Sequence, residues 1–170
     1  FQTGTNSVDG VALIHRKGGV REPHTVESYA KERGMISGEL SIEGVEDLSD
    51  GMSVFSFGIT MPPKSIKQLC EHYSINLEEV DKLVLHQANL FMVNKIAKKL
   101  KMAPEKVPSC LRDYGNTTST SCPLTIVSQC AEDYSRKKQK TIACAFGTGL
   151  AWASVYFETE NIVVPEVVIY

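Results

Sequence analysis

The sequence predicts an α/β fold, in which buried strands alternate with helices. An apolar run at residues 80–85 is typical of a strand that is covered on both faces. The segment after it has apolar residues at helical spacing and lysines mostly elsewhere, with Leu90, Val93, Ile96, Ala97 and Leu100 on the apolar face. Along the chain the predicted order is strand, helix, strand, helix, helix, strand, strand, which indicates an α/β domain.

The N-terminal part of the chain predicts one short strand, a long connection and one helix. Residues 11–15 have a strand pattern that ends at Lys17-Gly18-Gly19. Residues 18–51 are charged and punctuated by glycine, which predicts a long excursion that holds about one helical turn. A helix is predicted over 63–73 from the spacing of its apolar residues, with Pro62 and Pro63 at its first turn.

The C-terminal half predicts further helices and two adjacent strands. A short helix is predicted over 104–113, and a turn rich in small hydroxyl residues over 115–121. A helix over 124–138 ends in the basic run Arg136-Lys137-Lys138, which complements the helix dipole. Strands at 141–146 and 151–157 flank the turn Gly147-Thr148-Gly149, and 159–170 is predicted to be a C-terminal extension, either an edge strand or a segment packed on a neighbour.

Composition excludes several classes of protein. The chain has 170 residues, 42% of them hydrophobic, which suits one domain or half of a larger one. Its net charge of -2 gives no general bias toward nucleic acid or membranes, and no apolar stretch approaches the roughly 20 residues that span a bilayer. Five scattered cysteines without a CxxC pair favour reduced thiols, hence a cytoplasmic protein. Because the first residue is Phe1, we expect the chain to start partway through a longer sequence, as a tag scar, a processed terminus or an excision would explain.

Polar residues at three turns form the predicted reactive site. His86 follows the strand at 80–85, Asn116 lies in the turn before a helix, and Gly147 and Gly149 separate two strands. Ligands of open α/β sheets bind beyond the carboxyl ends of strands, so the three turns are expected to converge. An imidazole N–H and a side-chain amide together stabilise negative charge on an oxygen, as in a thioester enolate or a tetrahedral intermediate.

Structural roles explain the same residues without any chemistry. A lone histidine at a strand end is commonly a capped structural residue, and Asn116 fits a turn or a helix N-cap. The glycine turn is no dinucleotide fingerprint, because Trp152 stands where that motif requires glycine. Cys144 and Cys122 are expected to be buried structural thiols. The basic patch of Lys95, Lys98, Lys99 and Arg112 is either a solvated helix face or a dock for an acidic partner.

Three motifs in fixed order carry a resemblance to a known family. They are His86-Gln87-Ala88-Asn89, Gly115-Asn116-Thr117, and Phe146-Gly147-Thr148-Gly149 with Trp152. From about residue 5 to about residue 158, the chain resembles the C-terminal half of a β-ketoacyl-acyl carrier protein synthase III, a condensing enzyme that starts fatty acid synthesis. The resemblance implies a thiolase-like half with a mixed five-stranded sheet and helices on its faces, assembled as a homodimer.

The resemblance also implies roles for individual residues. His86 and Asn116 would stabilise the enolate that forms when malonyl-acyl carrier protein loses carbon dioxide, ahead of a Claisen condensation with an acyl group received from acyl-CoA. Asn89 would position the pantetheine arm, and Gly147 and Gly149 would form the active-site loop. Contacts with the carrier protein or its pantetheine are implied for Gln87, Ala88, Leu90, Phe91, Lys98 and Lys99. No metal or separate cofactor is implied, since coenzyme A and the carrier belong to the substrates.

Two features limit what the chain is expected to do alone. The family's nucleophilic cysteine belongs to an N-terminal half, and none of the five cysteines here matches its motif, so this piece is expected to be inactive by itself. Phe91 and Ser56 stand where well-studied members have basic residues that dock the carrier. Two alternatives remain open: a non-catalytic carrier-binding or dimerisation module, and another thiolase-fold synthase of polyketide-starter or 3-hydroxy-3-methylglutaryl type.

Overall fold

The architecture comes from a computed structural model that describes residues 1–6, 13–14, 23, 25–26, 48–49 and 51–168. Three 3₁₀ turns, Leu77–Glu79, Pro104–Lys106 and Thr118–Thr120, connect the main elements. The strands and helices are β1 Gln2–Thr5, β2 Leu13–Ile14, β3 Leu48–Ser49, α1 Gly51–Tyr73, β4 Lys82–Leu85, α2 Leu90–Leu100, α3 Leu111–Tyr114, α4 Ser121–Gln129, α5 Ala131–Arg136, β5 Lys138–Gly147 and β6 Ala151–Glu160.

The main sheet is mixed, in the order β1-β6-β5-β4. β4 runs parallel to β5, whereas β5 with β6 and β6 with β1 are antiparallel pairs. The described residues contribute four strands to it, so the expectation of five is wrong for this part of the chain. The strand predicted over 11–15 does not join this sheet, because Leu13 and Ile14 pair with β3 in a separate two-stranded ladder.

Helices cover both faces of the sheet, as the apolar patterns predicted. α1 packs on β5, β6 and α2, while α4 packs on β4 and β5 and α5 on β5 and β6. Leu83, Val84 and Leu85 of β4 are fully buried, which explains why that strand has a continuous apolar run. The fold is therefore the predicted α/β layer structure.

Helix α1 begins twelve residues before the predicted start at Pro63, at Gly51. Pro62 and Pro63 lie inside the helix and are buried, rather than at its first turn. Packing against the sheet offsets the lost backbone hydrogen bonds. Gly58 allows α1 to approach α2 and β5 closely, because a methyl group at this position would overlap the Met92 side chain and lie 2.8 Å from the Phe146 ring.

Three other predicted elements differ in the structure. The helix expected over 104–113 is a 3₁₀ turn followed by α3. The helix expected over 124–138 is divided into α4 and α5 at Cys130, whose φ of -130° is not helical, and it ends at Arg136 because β5 begins at Lys138. The edge strand suggested for the C-terminal extension is absent from 161–168, where Ile162 instead donates its N–H to the carbonyl of Tyr134 at 3.1 Å. Most of the excursion at 18–51 lies outside the described residues.

None of the helices described has both the length and the apolar character that crossing a membrane requires.

Candidate active site

Three of the predicted site residues, His86, Asn116 and Gly147, line an open cavity of about 550 Å³. His86 and Asn116 line it together with Thr118 and Ser119. The rest of the lining comes from the adjoining ends of β5 and β6, from Ala145 to Thr148 and from Ala151 to Ala153. The cavity lies at the carboxyl ends of the parallel strands β4 and β5, where the chain order predicted that the three turns converge.

His86 is held at the end of β4 by both its backbone and its ring. The backbone N–H of His86 donates to the carbonyl of Cys144 at 2.8 Å, which extends the pairing of β4 with β5 by one hydrogen bond. The ring meets Phe146 edge to face, with centroids 5.3 Å apart, and its Nδ1 lies 2.8 Å from the hydroxyl oxygen of Ser121. Burial lowers the pKa of His86, opposed in part by a hydrogen bond with the backbone of Thr118. The imidazole is therefore neutral at pH 7.

Asn116 lies in an exposed turn whose geometry orients its carboxamide. Gly115 before it has φ +65°, a conformation that favours glycine. The Oδ1 of Asn116 accepts the N–H of Thr118 at 3.0 Å, which leaves its amide group as the free end of the side chain. Of the two structural alternatives, the turn is therefore right and the N-cap is wrong, since Thr117 and Thr120 occupy the cap positions.

The remaining residues of the first motif do not line the cavity. Gln87 is fully buried, and its carboxamide bonds to the Leu85 carbonyl at 2.8 Å and to residues 109 and 110. Ala88 packs against the hydrophobic core. Asn89 caps α2, since its Oδ1 accepts the N–H of Met92 at 2.9 Å. Three residues that the resemblance assigns to the carrier or its pantetheine thus have internal contacts in this structure.

At Gly147 the glycine turn brings backbone, and no side chain, to the cavity. A Cβ atom at Gly147 would meet nothing within 4 Å, so its backbone faces open space. Gly149 has φ +143°, and a Cβ atom there would lie 2.8 Å from the backbone nitrogen of Ala151. Gly149 is not part of the cavity wall, but it allows the turn that places Gly147 there.

An exposed aromatic surface lies at the start of α2. Leu90 and Phe91 are both 56% exposed. Phe91 stacks on Phe55 of α1 at 5.7 Å between centroids, and the Lys95 ammonium lies 5.1 Å from the centre of the Phe91 ring. We call Phe55, Leu90, Phe91 and Lys95 the Phe91 surface. Lys98 and Lys99 are exposed on the same helix, and Lys99 donates to the Ile59 carbonyl at 2.9 Å.

All five cysteines lie in the described part of the chain, and none of them contributes to the cavity wall. Cys144 is buried as predicted, and burial raises the pKa of its thiol to about 12. Cys122 is only partly buried, yet burial raises the pKa of its thiol to about 11. Among the described residues, histidine, cysteine and carboxylate side chains form no cluster of metal-binding size.

Ser121 is the contact of His86 that the sequence did not single out. Its only signal was membership of the hydroxyl-rich turn at 115–121, and nothing in the spacing indicated that it meets a residue 35 positions earlier.

A mixed sheet with helices on both faces and a histidine–asparagine pair at its carboxyl edge define a thiolase-like α/β domain. The comparisons are more specific: the sequence model of the 3-oxoacyl-[acyl-carrier-protein] synthase III C-terminal family matches residues 70–159. The chain belongs to this family.

Relatives and solved structures agree with that assignment. The β-ketoacyl-[acyl-carrier-protein] synthase III of Streptococcus gordonii is 38% identical over 109 residues, which are 62% of this chain and 33% of the relative. That of Clostridium acetobutylicum is 30% identical over 132 residues, 78% of this chain and 38% of the relative. The crystal structure of 3-oxoacyl-(acyl-carrier protein) synthase from Burkholderia xenovorans LB400 matches with a TM-score of 0.79 and 27% identity, covering 97% of this chain and 45% of that one. The chain thus spans less than half the length of the proteins it matches.

Proposed function

We propose that this chain supplies the decarboxylating half of a 3-oxoacyl-acyl carrier protein synthase III. The observation that carries the proposal is that His86 and Asn116 line one cavity, each able to offer an N–H group to it. The named activity of the relatives supports the same reaction class.

The proposed step is the decarboxylation of a malonyl thioester. The bond to the carboxylate breaks, carbon dioxide leaves, and the electron pair moves onto the thioester oxygen as an enolate. His86 Nε2–H and the Asn116 amide donate hydrogen bonds to that oxygen. Because charge grows there during the reaction, the donors stabilise the transition state more than the substrate.

The enolate carbon then attacks an acyl thioester, forms the new carbon–carbon bond and releases the acyl group from its sulfur. That sulfur would come from outside this chain. The thiols of Cys144 and Cys122 have raised pKa values, and neither cysteine lines the cavity. A thiol with a raised pKa is a poor nucleophile at neutral pH. Complete catalysis therefore requires an N-terminal half, and the chain alone is inactive in this proposal.

Replacement of the two donors tests the reaction in the assembled two-half enzyme, with carbon dioxide release from malonyl-acyl carrier protein as the readout. His86→Ala and Asn116→Ala should each lower the rate by roughly 10²–10³. Gln129→Ala, at an exposed position of α4, is the control for loss of a side-chain amide and should leave the rate unchanged. If the rate of carbon dioxide release were unchanged in both His86→Ala and Asn116→Ala, the proposed roles of these residues as hydrogen-bond donors would be wrong.

The Phe91 surface is the proposed dock for the acidic carrier protein. Exposed Phe91 offers an apolar contact, and Lys95, Lys98 and Lys99 offer positive charge beside it. We expect Phe91→Ala to weaken carrier binding at both low and high salt, and Lys98→Gln with Lys99→Gln to reduce the salt dependence. Titration by calorimetry measures both effects. Binding that is indifferent to salt in the unmodified protein would contradict the lysine contacts.

The alternatives give different outcomes in the same assays. Carrier binding without any effect of His86→Ala on decarboxylation would indicate a docking module. Decarboxylation with another starter thioester in a substrate screen would indicate a different thiolase-fold synthase. Assembly as a homodimer stays a prediction from the resemblance.

A further inference from the structure

Ser121 lies directly behind the proposed catalytic histidine. It is the first residue of α4, its side chain is 1% exposed, and its hydroxyl oxygen is 2.8 Å from His86 Nδ1. Its position away from the cavity wall means that it reaches a substrate only through the imidazole. Its effect on the reaction therefore depends on how it sets the state of that ring.

The proposed reaction requires one particular tautomer of His86. A neutral imidazole carries a single N–H, and the other nitrogen accepts. For Nε2 to donate to the thioester oxygen, Nδ1 must accept a hydrogen bond. A serine hydroxyl can donate that bond, whereas a backbone carbonyl such as that of Thr118 only accepts and favours a proton on the ring nitrogen that faces it.

The carbonyl of Thr118 already has another donor. The backbone N–H of Ser121 bonds to it at the end of the 3₁₀ turn Thr118–Thr120. This bond uses one of the two lone pairs of the carbonyl, so the carbonyl can still accept from the ring. The hydroxyl of Ser121, 2.8 Å from Nδ1, is the group there that can donate to that nitrogen.

A buried chain of hydrogen bonds fixes Ser121 in this position. Thr125 Oγ1 donates to the Ser121 carbonyl at 2.7 Å and lies 3.1 Å from the thiol of Cys110. Since the Thr125 hydrogen is engaged with that carbonyl, the Cys110 thiol is the donor in the second contact. The N–H of Cys110 in turn donates to Gln87 Oε1 at 3.2 Å.

Gln87 closes the chain onto the strand that carries His86. Its Nε2 donates to the carbonyl of Leu85 at 2.8 Å, one residue before the histidine. The backbone on one side of the ring and the hydroxyl on the other are thus held by one continuous network. Buried networks in which each member is satisfied have little freedom to rearrange.

We propose that Ser121 is a positioning residue that donates its hydroxyl hydrogen to His86 Nδ1 and so presents Nε2–H to the cavity. This inference rests on the proposed function, because it assigns the tautomer that decarboxylation requires. The substrate class that follows is a thioester whose oxygen gains negative charge without taking a proton from the ring.

The test combines kinetics with a direct reading of the tautomer in the assembled two-half enzyme. Ser121→Ala should lower kcat for decarboxylation roughly tenfold with KM little changed, as expected for one lost hydrogen bond. Ser121→Thr retains the hydroxyl and should restore most of the rate. Ser128→Ala removes a serine hydroxyl from the same helix, one that bonds to the Leu124 carbonyl at 2.7 Å, and should have no effect.

Nitrogen-15 NMR of the histidine-labelled enzyme decides the question even if a variant fails to fold. His86 is assigned by the loss of its signal in His86→Asn. The unmodified enzyme should show a protonated Nε2 and an unprotonated Nδ1, and Ser121→Ala should shift this toward the other tautomer. A proton on Nδ1 in the unmodified enzyme would overturn the inference. Full activity of Ser121→Ala, together with loss of activity in His86→Ala, would also overturn the inference. Full activity of both variants would instead overturn the proposed function.

Discussion

Replacement of Gln87 distinguishes an internal role from a ligand-binding one. The side chain is fully buried and makes three hydrogen bonds: to the Leu85 carbonyl at 2.8 Å, from the Ser109 hydroxyl at 2.8 Å and from the Cys110 N–H at 3.2 Å. Gln87→Met keeps the length and apolar volume of the side chain but removes all three bonds. The variant therefore isolates the hydrogen bonds from packing.

The expected cost follows from the groups that Gln87→Met leaves without a partner. The Leu85 carbonyl and the Cys110 N–H are backbone groups in buried surroundings, and each orphaned group costs about 1–3 kcal/mol. The Ser109 hydroxyl is only half-buried and can turn to water, so it adds little. The free energy of unfolding should fall by about 2–6 kcal/mol, a large share of the stability of an ordinary domain.

Urea unfolding followed by circular dichroism measures this loss in the assembled enzyme. Gln129→Met is a matched control, because Gln129 is exposed on α4 and should change the unfolding free energy by less than about 0.5 kcal/mol. A Gln87→Met protein of unchanged stability but weaker carrier binding would refute the internal role and restore the carrier contact that the resemblance implied.

Three further outcomes follow from the packing and electrostatics. Gly58→Ala should lower the free energy of unfolding by about 1–3 kcal/mol in urea melts, because its methyl group overlaps Met92 and approaches the Phe146 ring to 2.8 Å. A stability equal to that of the unmodified protein would contradict this tight contact. Burial lowers the pKa of folded His86 below the unfolded value of 6.5, so the unfolded chain binds the proton more tightly. The contribution of His86 to the free energy of unfolding is therefore complete above pH 6.5 and is lost as the pH falls through the folded pKa. His86→Asn should flatten this part of the stability–pH curve, and an equal slope in both proteins would exclude the effect. Finally, the thiol of Cys144, with its pKa raised to about 12, should resist alkylation in the native protein at neutral pH and react after unfolding. If mass spectrometry detected rapid alkylation of Cys144 in the native protein, the thiol would not be buried and protonated as described.

The order of the main elements could be predicted because their sequences combine local patterns with strong burial. The apolar run of β4 and the one-sided face of α2 both match the observed packing. The start of α1 could not be predicted, because Pro62 and Pro63 lie in the interior of this helix, where proline is unfavourable. The sequence pattern favours a helix start at these prolines, whereas in the structure both are buried inside a helix that packs on the sheet.

The candidate site divides in a similar way. The meeting of His86 and Gly147 in one cavity could be predicted, because each lies at the carboxyl end of one of two neighbouring strands, and such ends lie at one edge of a sheet. Asn116 lies between helical elements, and its place in the cavity was expected from the convergence of three turns and from the resemblance. The contacts of Gln87 and Ser121 could not be predicted, since each depends on a hydrogen bond to a residue more than 20 positions away in the sequence. A motif in the sequence shows that its four residues are adjacent in the chain, but not that one side chain points inward while the next points to the cavity.

A double-mutant cycle on carbon dioxide release tests the central claim, that His86 and Asn116 act on one thioester oxygen. The assembled enzyme carrying His86→Ala, Asn116→Ala or both is compared with the unmodified enzyme on malonyl-acyl carrier protein. Donors to a single oxygen depend on each other, so the combined loss should be clearly smaller than the product of the two single losses. Losses that multiply in full would place the two side chains on independent steps, and a variant with an unchanged rate would remove its residue from the reaction.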